Sequence, residues 1–466
     1  MKSLTTSFRV LALCFLATVA ANCTTPPTLP GPGGFGAREV SPTPPRPPGQ
    51  TDVIELRCPP IETVRVAFIG LGMRGSEAVN RYSYIEGVKI VALCDVVPAN
   101  VEKAQNVLKE RGLPKADGYT GPDDWKTICQ RNDVDLVYVC THWDLHTPIA
   151  VYAMEHGKHA AVEVPAALTL QQCWQLVETS ERTRKHCMQL ENCNYDFFEM
   201  ATLNMAQKGL FGQIVHGEGA YIHDLRGMNF DEKGSYWQMW RLRHNQARNG
   251  NLYPTHGLGP ICHIMNIHRG DRMEYLVSIS SNQFGMTEYA REKFGETSDY
   301  AKRTYQCGDM NTTVVKTQGG KTIMVQHDVA NPRPYSRIHM VSGTKGFAQK
   351  WPLQGIALEP SAHEFMPKDK MDALLAQYEH PIVKEVGEKA KKVGGHGGMD
   401  FIMDYRLVYC LRNGLPLDED VYDAAEWSSL IELSEKSVEN QGMPVKVPDF
   451  TRGSWQKVKT VTYFHK

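Results

Sequence analysis

VRVAFIGLGMRG, Val64 to Gly75, is the stretch on which the fold turns. Its first half is an apolar, β-branched run of strand length, and its second half is a GxGxxG loop. SEAVNRYSYI follows with helical character, and VKIVALCD, Val88 to Asp95, is a second strand ending in an acid. Strand, glycine loop, helix, strand and acid, in that order, describe a dinucleotide-binding unit. Gly70 permits the tight turn, Gly72 lets backbone approach a pyrophosphate, and Gly75 lets the helix pack on the strand. Met73 and Arg74 follow at the helix start, where unpaired N–H groups face phosphates. Asp95 stands where a ribose diol would lie. Its charge accepts hydroxyl hydrogen bonds and repels a 2′-phosphate, which favours NAD over NADP.

The alternation continues outward from this unit. VDLVYVCT and KHAAVEVP read as buried strands, and DLHTPIAVYAMEHG and LTLQQCWQLVETSERTR as helices. Right-handed crossovers make residues 63–186 a parallel, doubly wound Rossmann sheet. The carboxyl ends of its strands line the cofactor crevice, which selects Thr141, His142, Trp143, His146 and Glu163. Trp143 either stacks near the nucleotide or caps the sheet, and His146 either meets the cofactor or caps its helix. From Cys187 the pattern changes to strands separated by turn signals: GQIVHGEGAYI, EYLVSISSNQFG, TTVVKTQGG and KTIMVQHDVA. Two late amphipathic helices follow, MDFIMDYRLVYCLRNG and VYDAAEWSSLIELSEKSVENQG. Residues 187–466 are therefore expected to form a second domain, a mainly antiparallel open sheet with helices. The fold class is α/β followed by α+β.

The 51 Lys+Arg balance 52 Asp+Glu, so no basic excess points to nucleic acid, and a small ligand is the better expectation. Residues 1–22 combine Lys2 and Arg9 with an apolar run too short to span a membrane, the pattern of a secretory signal. Two readings stay open there: cleavage after Ala21, or a lipoprotein signal with Cys23 as the lipidated N-terminus and the sole membrane attachment. Both place the protein in the periplasm or cell envelope. Residues 23–62, rich in Pro and Gly, read as an extended, solvated linker. The 12 cysteines form no CxxC, and several lie in apolar strands, so they read as mostly free and structural. His256, His263 and His268 match no tight ligand pattern, and no metal is expected.

GLGMRG followed by HTPIAVYAMEHGKHAAVEVP resembles the glucose-fructose oxidoreductase / inositol dehydrogenase family. That resemblance implies a Rossmann domain followed by an open sheet domain, and a homo-oligomer through the open face. The dehydrogenases carry Glu-Lys-Pro after the fifth strand, where this chain has Glu163-Val164-Pro165. They also carry an Asp and a His four apart, where this chain has Tyr253-Pro254-Thr255-His256. LENCNYDFFEM, YIHDLRG, WRLRHN, GNLYPTHGLGP, RPYSR, HGGMDF and the ending PVKVPDF together resemble glycoside hydrolase family 109. The resemblance implies an NAD-dependent α-N-acetylgalactosaminidase acting on glycans. It implies hydride removal from C3 of the sugar to tightly bound NAD, loss of the C2 proton, elimination of the aglycone, addition of water and return of the hydride. The alternatives are an NAD-dependent sugar dehydrogenase or a carbohydrate-binding relative without catalysis.

Such a route needs groups that exchange protons near neutral pH, and His and Tyr qualify. His256 is the leading acid/base candidate, with Tyr253 on the same face if the segment turns helically. Tyr335, between Pro334 and Ser336 with arginines nearby, is expected at the site, its phenol lowered by an adjacent cation. Tyr195 is expected to point from the end of the next strand into the cleft, with Tyr221 as its rival. Arg241 is expected to hold sugar hydroxyls beside Trp240 as an apolar platform. His396, flanked by glycines, is either a ligand contact or a plain loop residue.

Overall fold

The computed structural model describes residues 36–461. The signal reading of residues 1–22, Cys23 and the start of the linker lie outside the described residues.

Six strands build the first sheet: β1 (Val64–Ile69), β2 (Val88–Cys94), β3 (Asp117–Tyr119), β4 (Leu136–Val139), β5 (His159–Val162) and β6 (Cys187–Gln189). Their order is β3-β2-β1-β4-β5-β6, and every pair is parallel. The order reverses between β2-β1 and β4, and ligands bind such sheets in the crevice opened there, beyond the carboxyl ends of the strands. The apolar run of β1 is buried in all but one position because helices cover both faces. Cys187–Gln189 completes this sheet beside β5, so the chain leaves it three residues later than the change in pattern suggests.

The second sheet has eight strands: β7 (Ile214–Ile222), β8 (Met273–Ser280), β9 (Asn311–Thr317), β10 (Thr322–Asp328), β11 (Met340–Gly343), β12 (Gly346–Gln349), β13 (Gly355–Leu358) and β14 (Val445–Lys446). Their order is β13-β12-β11-β7-β10-β9-β8-β14, and all neighbours are antiparallel except β7 and β10. The helix Val421–Glu439 packs against β8 on one side and against the helix Leu170–Thr183 and β6 of the first sheet on the other. It is buried over most of its length, as a helix shared by two sheets must be.

The described part of the linker is anchored at several points, although many of its residues are exposed. Arg38 bridges to Val445, Val53 and Leu56 are buried, and the Val53 N–H donates to the Tyr422 hydroxyl. Arg46 and Arg452 both pair with the buried Glu181, at 3.1 and 2.7 Å. Pro and Gly content signals a lack of helix or strand, and a chain without either still binds wherever its charges find partners. Among the described residues the ten cysteines are free, and no helix is long and apolar enough to cross a membrane.

Candidate active site

The crevice of the first sheet is shaped for a dinucleotide. A side-chain carbon at Gly70 would meet the Cys140 backbone at 2.6 Å, and one at Gly75 would meet the Gly70 carbonyl at 1.9 Å. At Gly72 it would meet nothing within 4 Å, so this face of the loop is open to a phosphate. The helix Met73–Tyr82 begins there without a side-chain cap, leaving its first N–H groups for a ligand. Asp95 accepts the Leu71 and Val97 N–H groups at 2.6 and 2.8 Å. Those bonds fix the carboxylate beside the loop and leave lone pairs for a diol. Arg74 does not reach outward: its Nε donates to Glu163 at 3.0 Å and its Nη1 to Asp400 at 2.9 Å.

Beside the crevice Trp143 of the first domain and residues of the second form a cluster of rings. Trp143 stacks on Tyr253 with centroids 5.6 Å apart, and Tyr221 lies 4.6 Å from Tyr253 and 5.4 Å from His256. The Arg241 guanidinium sits over Tyr253 at 4.4 Å and over Trp143 at 4.9 Å. Its Nη1 donates to the Tyr236 hydroxyl at 3.0 Å, while its Nη2 is buried without a hydrogen-bond partner. A buried donor of that kind calls for an acceptor, such as a sugar or acetamido oxygen. Trp240 meets Trp143 edge-on at 5.1 Å and backs the cluster. Burial pushes the phenols of Tyr221 and Tyr253 above their ordinary range although Arg241 pulls the other way, so both are neutral donors at neutral pH.

His256 is the second residue of the helix Thr255–Met265, which contains Gly257, Gly259 and Pro260. Such a helix is poor by propensity alone. It forms because the glycines let backbones meet: a side chain at Gly257 would lie 2.2 Å from the Ala220 nitrogen, and one at Gly259 would lie 2.9 Å from the Glu191 side chain. This close packing on β7 and on the turn after β6 brings His256 Nδ1 to 2.6 Å from Glu191 Oε1. Burial would raise the Glu191 carboxyl, but the charge and hydrogen bond of His256 outweigh it and hold Glu191 below the usual range. An ionised Glu191 accepts a hydrogen bond from Nδ1–H, which puts the imidazole lone pair on Nε2. Cys193 Sγ lies within 4.8 Å of both groups, and burial raises its thiol well above the ordinary value.

Two expected residues are placed elsewhere. Tyr195 ends the short 3-10 turn Asn192–Tyr195 and is fully buried, its hydroxyl donating to Asp418 at 3.2 Å, away from the ring cluster. Its rival Tyr221 holds the place in the cluster. His146 is buried with Nδ1 2.8 Å from the Pro165 carbonyl and Nε2 3.0 Å from the Thr141 carbonyl. Burial favours the neutral imidazole, which donates to only one of these carbonyls, and both nitrogens face backbone. Trp143 joins the aromatic cluster rather than standing alone at the sheet edge. Tyr335 is at the site, 38% exposed, edge-on to His223 at 5.0 Å and to Tyr221 at 6.4 Å. Its phenol is raised rather than lowered, because desolvation outweighs an Arg337 whose charge is already shared with Asp196 and Glu199 at 2.6 and 2.7 Å.

Comparison with known proteins places this geometry. The profile of the glycosyl hydrolase 109 C-terminal domain matches residues 195–457, and that of the oxidoreductase-family NAD-binding Rossmann fold matches residues 64–190. The α-N-acetylgalactosaminidase of Bacteroides fragilis is 57% identical over 88% of this chain and 97% of its own. A glycosyl hydrolase family 109 protein of Phocaeicola vulgatus is 52% identical, with 98% of each chain covered. The chain belongs to glycosyl hydrolase family 109. Solved structures share its fold at lower identity. Levoglucosan dehydrogenase in complex with NADH and L-sorbose has a TM-score of 0.63 at 17% identity, covering 84% of this chain and all of that one. Aldose-aldose oxidoreductase from Caulobacter crescentus has a TM-score of 0.58 at 17% identity, covering 82% and 99%.

In this family 109 chain, sequence reasoning overlooked two groups. Glu191 stands just past the carboxyl end of β6, and the rule that selected residues after β4 and β5 selects it as well. His223 follows β7, its Nδ1 3.1 Å from the Tyr221 hydroxyl. Only the spacing of YIH, on a strand aimed at the cleft, could have marked it.

Proposed function

We propose that this family 109 protein is an exported glycosidase that releases terminal α-linked N-acetylgalactosamine, with NAD held through each turnover. The observation that carries the reading is the His256–Glu191 pair at 2.6 Å, placed with neutral phenols beside a dinucleotide crevice. The name of the Bacteroides fragilis relative supplies the sugar and the linkage. A two-carboxylate glycosidase sets a pair of acids across the scissile bond. Here Glu163 and Glu191 are committed to Arg74 and His256. The cleft presents an imidazole, phenols and a guanidinium instead.

NAD in the crevice supplies a reversible hydride acceptor, so that one sugar carbon can be oxidised and later restored. The Gly72 face, the uncapped helix N-terminus and Asp95 would hold the dinucleotide. Arg241 Nη2 donates to a hydroxyl or to the acetamido oxygen. His256 Nε2 is the base for the C2 proton, which oxidation of the neighbouring carbon would make acidic. Tyr335, the exposed phenol of the cluster, donates to the departing oxygen and orients water for its return. Val164, buried in the aromatic cluster, stands where the related dehydrogenases carry lysine, so this position supplies no ammonium to the oxidised carbon.

The charged start and short apolar run of residues 1–22 support export, and the mass of the mature N-terminus separates cleavage after Ala21 from lipidation of Cys23. Ile279 and Val314 are exposed on the face of the second sheet away from its helices, and this face serves as the contact between copies, testable by sedimentation. The activity itself is tested with nitrophenyl α- and β-N-acetylgalactosaminides. Release from the α anomer without accumulation of free NADH supports the reading. Stoichiometric NADH release without hydrolysis would replace it with a dehydrogenase.

A further inference from the structure

GGHGG, Gly394 to Gly398, leads into the long helix Met399–Asn413. All five residues have positive φ, from 44° at His396 to 114° at Gly398. Glycines adopt this freely, but a side chain does so at a cost that surrounding contacts must offset. Those contacts all lead to the nucleotide loop. His396 Nδ1 lies 2.9 Å from Asp400 Oδ2 and 3.3 Å from Arg74 Nη1. The fully buried Asp400 also receives Arg74 Nη1 at 2.9 Å and Asn192 Nδ2 at 2.5 Å. Arg74 continues to Glu163, just past β5. An imidazole–carboxylate–guanidinium chain thus fastens this loop onto the start of the helix that faces the crevice.

Burial alone would raise Asp400, yet the charge of Arg74 and the hydrogen bond from His396 hold it well below the ordinary range. An ionised Asp400 accepts a hydrogen bond from His396 Nδ1–H, so the approach of Arg74 Nη1 to the same nitrogen is a contact and not a second hydrogen bond. Nε2 then remains as an acceptor on the far side of a ring that is 54% exposed. Asp95 after β2 marks the adenosine half of the crevice, so the nicotinamide half lies toward β4 and β5, where Glu163, Arg74 and His396 sit.

We infer that His396 binds the nicotinamide-ribose end of the dinucleotide, Nε2 accepting from a ribose hydroxyl or the carboxamide N–H. The contact latches the second domain's loop over the cofactor and slows its escape between turnovers. This rests on the NAD reading above.

The test is NADH titration of the purified full chain by fluorescence, beside ligand-free thermal unfolding. His396→Ala and His396→Asn should each weaken NADH binding roughly tenfold, the loss of about one hydrogen bond. Asn tolerates the left-handed backbone and keeps the Asp400 bond but lacks a group at Nε2. His396→Gln, which places an acceptor near Nε2, should keep more affinity than Asn. Wild-type affinity in the Asn variant would overturn the inference. So would equal losses in Asn and Gln accompanied by a lowered melting temperature, which indicates a structural role only. Failure of the wild-type protein to bind NADH would instead sink the functional reading on which the inference stands.

Discussion

Two histidines bracket one helix, and their fates differ. His256 opens the helix Thr255–Met265 and His268 lies three residues past its end. Each faces carboxylates: Glu191 for His256, and Glu426 with Asp423 for His268. His268 is 1% exposed, in left-handed backbone with φ 63°, and its neighbour Arg269 pairs with Asp423 at 2.7 Å. His256 keeps an open edge beside Tyr221 and Tyr253. The same chemical pair is cement where it is sealed and, in the function proposed above, a base where it fronts a cleft at the carboxyl ends of strands. Residue type alone does not make a site; access and neighbours do.

The comparison can be broken most sharply by exchanging the expected losses. His256→Ala should lower kcat/KM by about 10²- to 10⁴-fold, the usual worth of a general base. His268→Ala should leave kcat/KM of the folded enzyme near wild type but cost about 3–5 kcal/mol in chemical unfolding, because it strands buried carboxylates. Loss of turnover in the folded His268 variant would erase the distinction. Glu191→Gln keeps the shape and removes the charge that sets the imidazole tautomer. It should reduce kcat by at least about tenfold with little change in KM, the mark of a group that acts through another.

A smaller effect separates the two pairs by pH. The native Glu191 carboxyl is lowered, so near its ordinary value of about 4.3 the unfolded chain binds more protons. Its stabilisation is complete above that pH and is lost as pH falls through the lowered value. Burial works to lower His268, but Glu426 and Asp423 outweigh it and raise the group. Its stabilisation is complete below about pH 6.5 and is lost as pH rises through the raised value. Unfolding midpoints across pH should therefore show the Glu191→Gln deficit shrinking in acid and the His268→Ala deficit shrinking in alkali. The same trend in both would contradict the assignment.

The legibility of these features in sequence follows their range. The first sheet could be read because its signal is local: VRVAFI, then GLGMRG, then an acid at the end of the next strand. Tyr253 and His256 were legible as a pair, but their helix was hidden, since Gly257, Gly259 and Pro260 argue against one until β7 is seen against it. Glu191 lies 65 residues from His256, and no spacing rule reaches so far. Tyr195 misled for the opposite reason. It stands in a site-like motif, yet a 3-10 turn rotates it toward Asp418, 223 residues away. The anchoring of the described linker was hidden because Pro and Gly content says nothing of Glu181, the distant acid that captures Arg46.

The central claim is that the sugar's C2–H bond breaks during hydrolysis. An α-N-acetylgalactosaminide deuterated at C2 should be hydrolysed in ordinary water with loss of the label and a primary kinetic isotope effect. Full retention of deuterium in the released sugar, with no isotope effect, would contradict the account and leave His256 without a proton to remove.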